Sequence, residues 1–116
     1  MSLISQEAIR PWGYYEVLLD TPYTKVKEIT IEPGQRLSYQ YHEHREEYWT
    51  CVQGELTVFI EGVELLIPYG HSIHIPLGDK HRMVNKTNTD VKVIEVQVGS
   101  YFGEDDIKRI EDDYGR

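Results

Sequence analysis

Cysteine is almost missing from this chain. Cys51 is the single one among 116 residues, so no intrachain disulfide can close and no cysteine-based zinc site can form. Long apolar runs are missing too. No stretch approaches the roughly 18 residues that a membrane span needs, and no membrane partner is expected. The opening "MSLISQEAIRPWG" lacks the basic-then-apolar order of a secretory leader, which makes the cytoplasm the expected compartment. Basic residues are scarce as well: 12 Lys and Arg stand against 20 Asp and Glu, a net charge of -8. Phosphate-backbone binding calls for a basic face, so nucleic acid is not expected as a partner. A small phosphorylated ligand stays open, because a few well-placed Arg or Lys can hold it.

What is present suits a soluble globular protein, with 40% hydrophobic and 28% charged residues. The length fits one domain, 1–116, too short for two ordinary ones. A domain this small keeps a large surface and gains from pairing with a second subunit. Short β-like runs recur at 25–32, 36–42, 48–52, 55–60, 63–67, 71–75, 81–85 and 91–98, each followed by a turn signal such as Pro33-Gly34, Glu61-Gly62 or Pro76-Leu77-Gly78-Asp79. That rhythm predicts an all-β antiparallel sandwich or barrel. The start, through "RPWGYYEVLL", reads as an irregular arm plus one strand. In the tail "GEDDIKRIEDDYGR", acids precede Ile107 and Ile110 at helical spacing, which predicts a short C-terminal helix packed by those two residues.

"YQYHEHREEYW", residues 39–49, carries the chemistry. Strand alternation puts Ser38, Gln40, His42 and His44 on one face and Leu37, Tyr39 and Tyr41 on the other. Two imidazoles at i and i+2 leave one face of a stiff element within reach of one ion. Glu47 can join them if the strand bends. Taken alone, the stretch reads equally as an exposed, solvated face. A second stretch, "GHSIHIPLGDKHRMVN" from Gly70 to Asn85, adds His81 after a glycine-containing turn. The first runs H-x-H-x2-E-x6-G to Gly54, and the second runs G-x5-P-x-G-x2-H-x3-N through Pro76 and Gly78.

This pair of motifs resembles the cupin family. One departure is the spacing of seven residues between Gly34 and His42, where the general pattern has five. The resemblance implies a jelly-roll β-barrel that holds one divalent metal ion, with His42, His44, Glu47 and His81 as ligands. Such donors suit Zn, Mn, Fe, Co or Ni alike, and three histidines with one glutamate leave positions open to substrate.

The likeness narrows further. "RPWGYYEVL", "KVKEITIEPGQRLSYQYHEHREEYW" and "VIEVQVGSYFGEDDIKRIEDDYGR" are similar to the C-terminal isomerase domain of type II mannose-6-phosphate isomerases, and the wider spacing after Gly34 belongs to that pattern. Members commonly carry a large N-terminal nucleotidyltransferase domain that these residues do not include. They often read H-H-H-R-A-E-H-W where this chain has H-E-H-R-E-E-Y-W, so Glu43 and Tyr48 stand in place of histidines. The resemblance implies a metal-dependent isomerase that interconverts mannose 6-phosphate and fructose 6-phosphate through an enediolate. A non-catalytic metal- or carbohydrate-binding cupin and an iron-dependent cupin oxidoreductase are the competing readings.

Arg45 is the candidate for sugar-phosphate binding or enediolate stabilisation, since its fork matches phosphate oxygens. Strict alternation turns it away from the ligands, so the role requires a bend; otherwise it is a surface arginine paired with Glu46 or Glu47. Gln40 contacts substrate, supplies a fifth ligand, or packs the interior. His74 is a candidate base only if a bulge turns it inward, and His71 is expected at the surface. Lys80 and Arg82, flanking His81, read as surface charge in preference to cations that draw a phosphate to the barrel mouth. The outward row of Leu37, Tyr39 and Tyr41 calls for a cover, either the N-terminal arm or the second copy of a homodimer.

Overall fold

The computed structural model describes residues 9–113. In chain order the strands are β1 Ile9–Arg10, β2 Gly13–Asp20, β3 Thr24–Ile31, β4 Tyr39–Tyr41, β5 Arg45–Gln53 and β6 Leu56–Ile60. They continue with β7 Val63–Ile67, β8 Ser72–Ile75, β9 His81–Val84, β10 Val91–Gly99 and β11 Lys108–Glu111. One antiparallel sheet runs β1-β2-β3-β10-β5-β8 and the other β11-β4-β9-β6-β7. No helix among the described residues is long and apolar enough to cross a membrane.

The turns follow from residue chemistry. Pro33-Gly34 closes a tight turn in which Gln35 N–H donates to the Glu32 carbonyl at 3.1 Å, with Gly34 at φ 77°. Only a residue without Cβ takes that conformation at low cost. Between β6 and β7, Glu61 and Gly62 both have positive φ, 47° and 80°, the backbone twist that two-residue hairpins favour.

The core lies between the sheets. Ile29, Ile31, Trp49, Cys51, Ile75, Val91 and Val93 come from the six-stranded sheet, and Leu56, Val58, Ile67 and Met83 from the five-stranded one. Alternation is clean in β5 and β10, where every second residue from Arg45 to Cys51 and from Val91 to Gln97 is buried. At one end of this interior the inward residues change from apolar to polar, and the candidate site is there.

Two expectations are corrected. The tail is not a helix. Glu104–Asp106 form one 3-10 turn and Lys108–Glu111 form β11, which pairs with β4 through Lys108↔Tyr41, Arg109↔Gln40 and Glu111↔Tyr39. Two isoleucines make too narrow an apolar stripe to offset the cost of nucleating so short a helix. The open edge of β4 instead offers backbone partners, and Ile110 stays exposed.

The second correction concerns the run 36–42, which is strand only over Tyr39–Tyr41, with an isolated bridge from Arg36 to Val84. Leu37 donates its N–H to the Met83 carbonyl at 3.0 Å and packs against the core instead of pointing outward. Full burial of a leucine is worth roughly 1.5–3 kcal/mol, and the part of it that half-buried Leu37 gains overrides alternation where the ladder is broken. The proposed outward apolar row is thus reduced to Tyr39 and Tyr41, both half-buried.

Candidate metal centre

Three of the sequence-predicted ligands meet at the polar end of the core. The ligand atoms of His42, Glu47 and His81 lie within 4.8 Å of one another, and all three side chains are buried. The turn at Pro76–Asp79 docks on the first of them, since Gly78 N–H donates to the His42 carbonyl at 2.9 Å. That contact and the β4–β9 pair Gln40↔His81 carry His81 to His42, with ring centroids 4.9 Å apart.

Proton positions follow from the partners. The Asp79 carbonyl can only accept, so its 2.8 Å contact with His81 Nδ1 puts the proton there and leaves a lone pair on Nε2. That lone pair faces Glu47 Oε1 at 3.9 Å. A guanidinium can only donate, so Arg45 Nη2, 3.0 Å from His42 Nε2, leaves that nitrogen an acceptor. Burial, then Arg45, lowers the His42 pKa to about 3, and burial lowers that of His81 as well. Both rings are therefore neutral, the form that binds metal. The His81 lone pair facing the Glu47 carboxylate gains from a cation between them, and two imidazoles with one carboxylate suit a divalent transition metal. The donor set fits such an ion.

His44 is not gathered with them. Residues 43 and 44 form a bend, and the buried Asp106 carboxylate accepts from Glu43 N–H and His44 N–H, each at 3.1 Å. His44 Nδ1 lies 2.9 Å from the same carboxylate, and its ring is about half exposed. Burial alone raises the Asp106 pKa, and the hydrogen bonds from His44 and Glu43 more than reverse this. At Gly99 an added Cβ would stand 2.2 Å from the His44 carbonyl oxygen and 2.7 Å from Arg45 Cα, so β10 approaches the bend only because no side chain intervenes.

The bend turns Arg45 inward. Its Nε donates to Glu47 Oε2 at 3.1 Å, and its Nη1 is buried without a hydrogen-bond partner among the described residues. Gln40 lines the same cavity, half-buried. His74 faces out: it is stacked on Tyr48 with centroids 4.6 Å apart and lies 2.9 Å from Glu46. His71, Lys80 and Glu43 are exposed. Arg82 is not surface charge. It is buried, and its Nε donates to the Leu37 carbonyl at 2.7 Å.

Two buried charges on the cavity wall escaped the sequence reading, Glu95 on β10 and Lys27 on β3. They face each other across the β3–β10 ladder. Glu95 accepts from Trp49 Nε1 at 3.0 Å and from Gln97 Nε2 at 2.8 Å. Burial, then the Glu47 carboxylate, raises its pKa to about 7. Strict alternation in "VKVIEVQV" and "KVKEITI" was the available signal, since each charge sits in the inward register of its strand.

Comparison with known proteins places the chain in a family. Residues 2–112 match the family described as mannose-6-phosphate isomerase C-terminal. Mannose-1-phosphate guanylyltransferase of Klebsiella pneumoniae is 42% identical over 111 residues, covering 96% of this chain and 24% of that protein. The alginate biosynthesis protein AlgA of Pseudomonas aeruginosa is 44% identical over 110 residues, 95% of this chain and 23% of its own length. The chain thus spans about a quarter of these curated relatives. Among solved structures, the capsular polysaccharide assembling protein CapF of Staphylococcus aureus superimposes with a TM-score of 0.78 at 20% identity, over 94% of this chain and 34% of CapF. KdgF from Halomonas sp. gives 0.76 at 19% identity, over 90% of this chain and 97% of KdgF. These two likenesses are of fold.

Proposed function

Because this chain belongs to the mannose-6-phosphate isomerase C-terminal family, we propose that it is a metal-dependent sugar-phosphate isomerase interconverting mannose 6-phosphate and fructose 6-phosphate. The observation that carries the reading is the buried set His42, Glu47 and His81 with Arg45 turned in beside it. His42, Glu47 and His81 would hold a divalent ion. Bound there, the ion supplies positive charge to the sugar oxygen that turns negative as a proton moves between C1 and C2.

The remaining roles belong to the protein's own groups. Arg45 Nη1, buried and without an acceptor, donates to a sugar oxygen and fixes its position. Gln40 hydrogen-bonds a hydroxyl from the opposite sheet. Trp49 and Met83, both in the core and on the cavity wall, exclude bulk water and so strengthen each of these interactions. His44 holds the bend against Asp106 and acts on the site through Arg45.

A coupled assay of purified, metal-loaded protein with mannose 6-phosphate tests the proposal. Turnover that disappears in His81→Ala supports it. Turnover no higher than that control rejects it, and bound metal without turnover favours the non-catalytic binding reading.

A further inference from the structure

The chain is acidic overall, yet Arg10, Lys27, Arg45, Arg82 and Arg109 all stand on the wall of the cavity beside the ligand cluster. Most of them have structural work. Arg45 is bonded to His42 and Glu47, and Arg82 holds the Leu37 carbonyl and pairs with Asp113. Arg109 is exposed to solvent.

Lys27 differs from these. It is 7% exposed, and its ammonium lies over the Tyr15 ring, 4.2 Å from the centroid. Among the described residues it has neither a hydrogen bond nor an ion pair with a carboxylate. A ring face offsets only part of the cost of drying an ammonium, so a further anion is called for.

The same ring carries a second cation. The Arg10 guanidinium carbon is 5.0 Å from the Tyr15 centroid, and Arg10 Nη2 donates to Tyr15 Oη at 3.1 Å. Glu104, on the 3-10 turn of the tail, reaches this pair, with its Oε1 3.3 Å from Arg10 Nη2. Burial alone would raise the Glu104 pKa; Lys27 and then Arg10 more than reverse it. Glu104 thus marks where the field of the two cations converges.

We propose that Lys27 and Arg10, on the Tyr15 platform, seat the phosphate of a hexose phosphate monoester, and that Glu104 is the internal carboxylate that yields the place. The identity of the sugar rests on the isomerase reading above; the phosphate seat does not. An ammonium and a guanidinium fork together match a phosphate dianion. The cavity then has two poles, the ligand cluster for the carbonyl end and Lys27 with Arg10 for the phosphate end. A free hexose carries no anion to take the place of Glu104 beside these cations, so the site selects the phosphorylated sugar.

The test is calorimetric titration of inorganic phosphate into the metal-loaded full chain, alongside KM and kcat for mannose 6-phosphate. Lys27→Met is expected to weaken phosphate at least tenfold and to raise KM more than it lowers kcat, with metal content unchanged. Lys27→Arg recovers part of the loss. Glu104→Gln, which removes the competing carboxylate, strengthens phosphate severalfold. Phosphate affinity equal in the wild type, Lys27→Met and Glu104→Gln overturns the seat, as does no measurable phosphate binding by the wild type. If Lys27→Met does not fold, the half-exposed Glu104→Gln decides alone, and unchanged affinity there rejects the proposal. Phosphate binding that depends on Lys27 without sugar turnover upholds the seat and refutes the isomerase reading. Turnover with phosphate affinity indifferent to both residues does the reverse.

Discussion

Asp106 holds His44 at two points, taking the backbone N–H at 3.1 Å on one carboxylate oxygen and facing ring Nδ1 at 2.9 Å with the other. With the bond from Glu43 N–H, this fixes the bend that sends Arg45 into the cavity. Asp106→Ala leaves those donors without their buried acceptor, a loss on the order of 2–4 kcal/mol. Denaturant unfolding should show it, together with reduced metal content, because the bend also sets Glu47. Asp106→Asn, which keeps one acceptor oxygen, should fall between.

Gly99→Ala tests the same bend from the other side. The new methyl would meet the backbone of His44 and Arg45 rather than a movable side-chain tip, so the bend itself has to shift. Expected are a lower unfolding midpoint and weaker metal binding in a chelator competition. A variant that binds metal as tightly as the wild type would mean that the close approach does not position the ligands.

Arg45 occupies lone pairs of two candidate ligands, those of His42 Nε2 and Glu47 Oε2, and would compete for them with a metal held there. Arg45→Met should therefore bind metal at least as tightly as the wild type while its kcat falls roughly a hundredfold, within the range for losing one electrostatic donor. Metal affinity is the first readout. Weaker binding in Arg45→Met would show that the guanidinium supports the ligands instead of competing for them.

The pH dependence of stability in metal-free protein has two opposing parts. His42 titrates at about 3 when folded, below its ordinary value of 6.5, so its contribution is present above 6.5 and is lost as pH falls toward 3. Glu95 titrates at about 7, above its ordinary 4.5, so its contribution is present below 4.5 and is lost as pH rises through 7. Each changes stability by at most about 1.4 kcal/mol per pH unit. Between 4.5 and 6.5 Glu95 opposes His42, while His81, whose pKa burial also lowers, adds to His42, which predicts only a shallow rise with pH there. Glu95→Gln should tilt it, making stability rise steeply with pH over that interval. Urea unfolding at half-unit pH steps checks the tilt.

His74 and Glu46 pair on the outer face of the six-stranded sheet, both substantially exposed. His74→Ala should leave metal content and sugar-phosphate turnover as in the wild type. A fall in turnover would place His74 in the reaction after all.

His42, Glu47 and His81 were legible as a group through the resemblance of their two stretches to the cupin motifs, whose fixed offsets from turn-forming glycines survive folding. Arg45 was legible only conditionally, as the bend that decides its direction is made by Asp106, about sixty residues on. Lys27 and Glu95 were harder to read. Each is one charge within an otherwise ordinary strand, and only the β3–β10 register brings them face to face. The tail was misread because Ile107 and Ile110 have helical spacing, and the sequence does not reveal that the edge of β4 waits for a partner. Leu37 was misassigned for the same reason: alternation holds only where the ladder is unbroken.

The pairing of β11 with β4 has a consequence for the order in which the molecule is assembled. A nascent chain that has emerged as far as residue 100 already contains His42, Glu47 and His81, but lacks both the carboxylate that turns the bend and the strand that lines β4. Long-range pairings of this kind form late. The cluster becomes a finished receptor only when Asp106 and Lys108–Glu111 arrive, so metal uptake is expected to follow their synthesis rather than guide it.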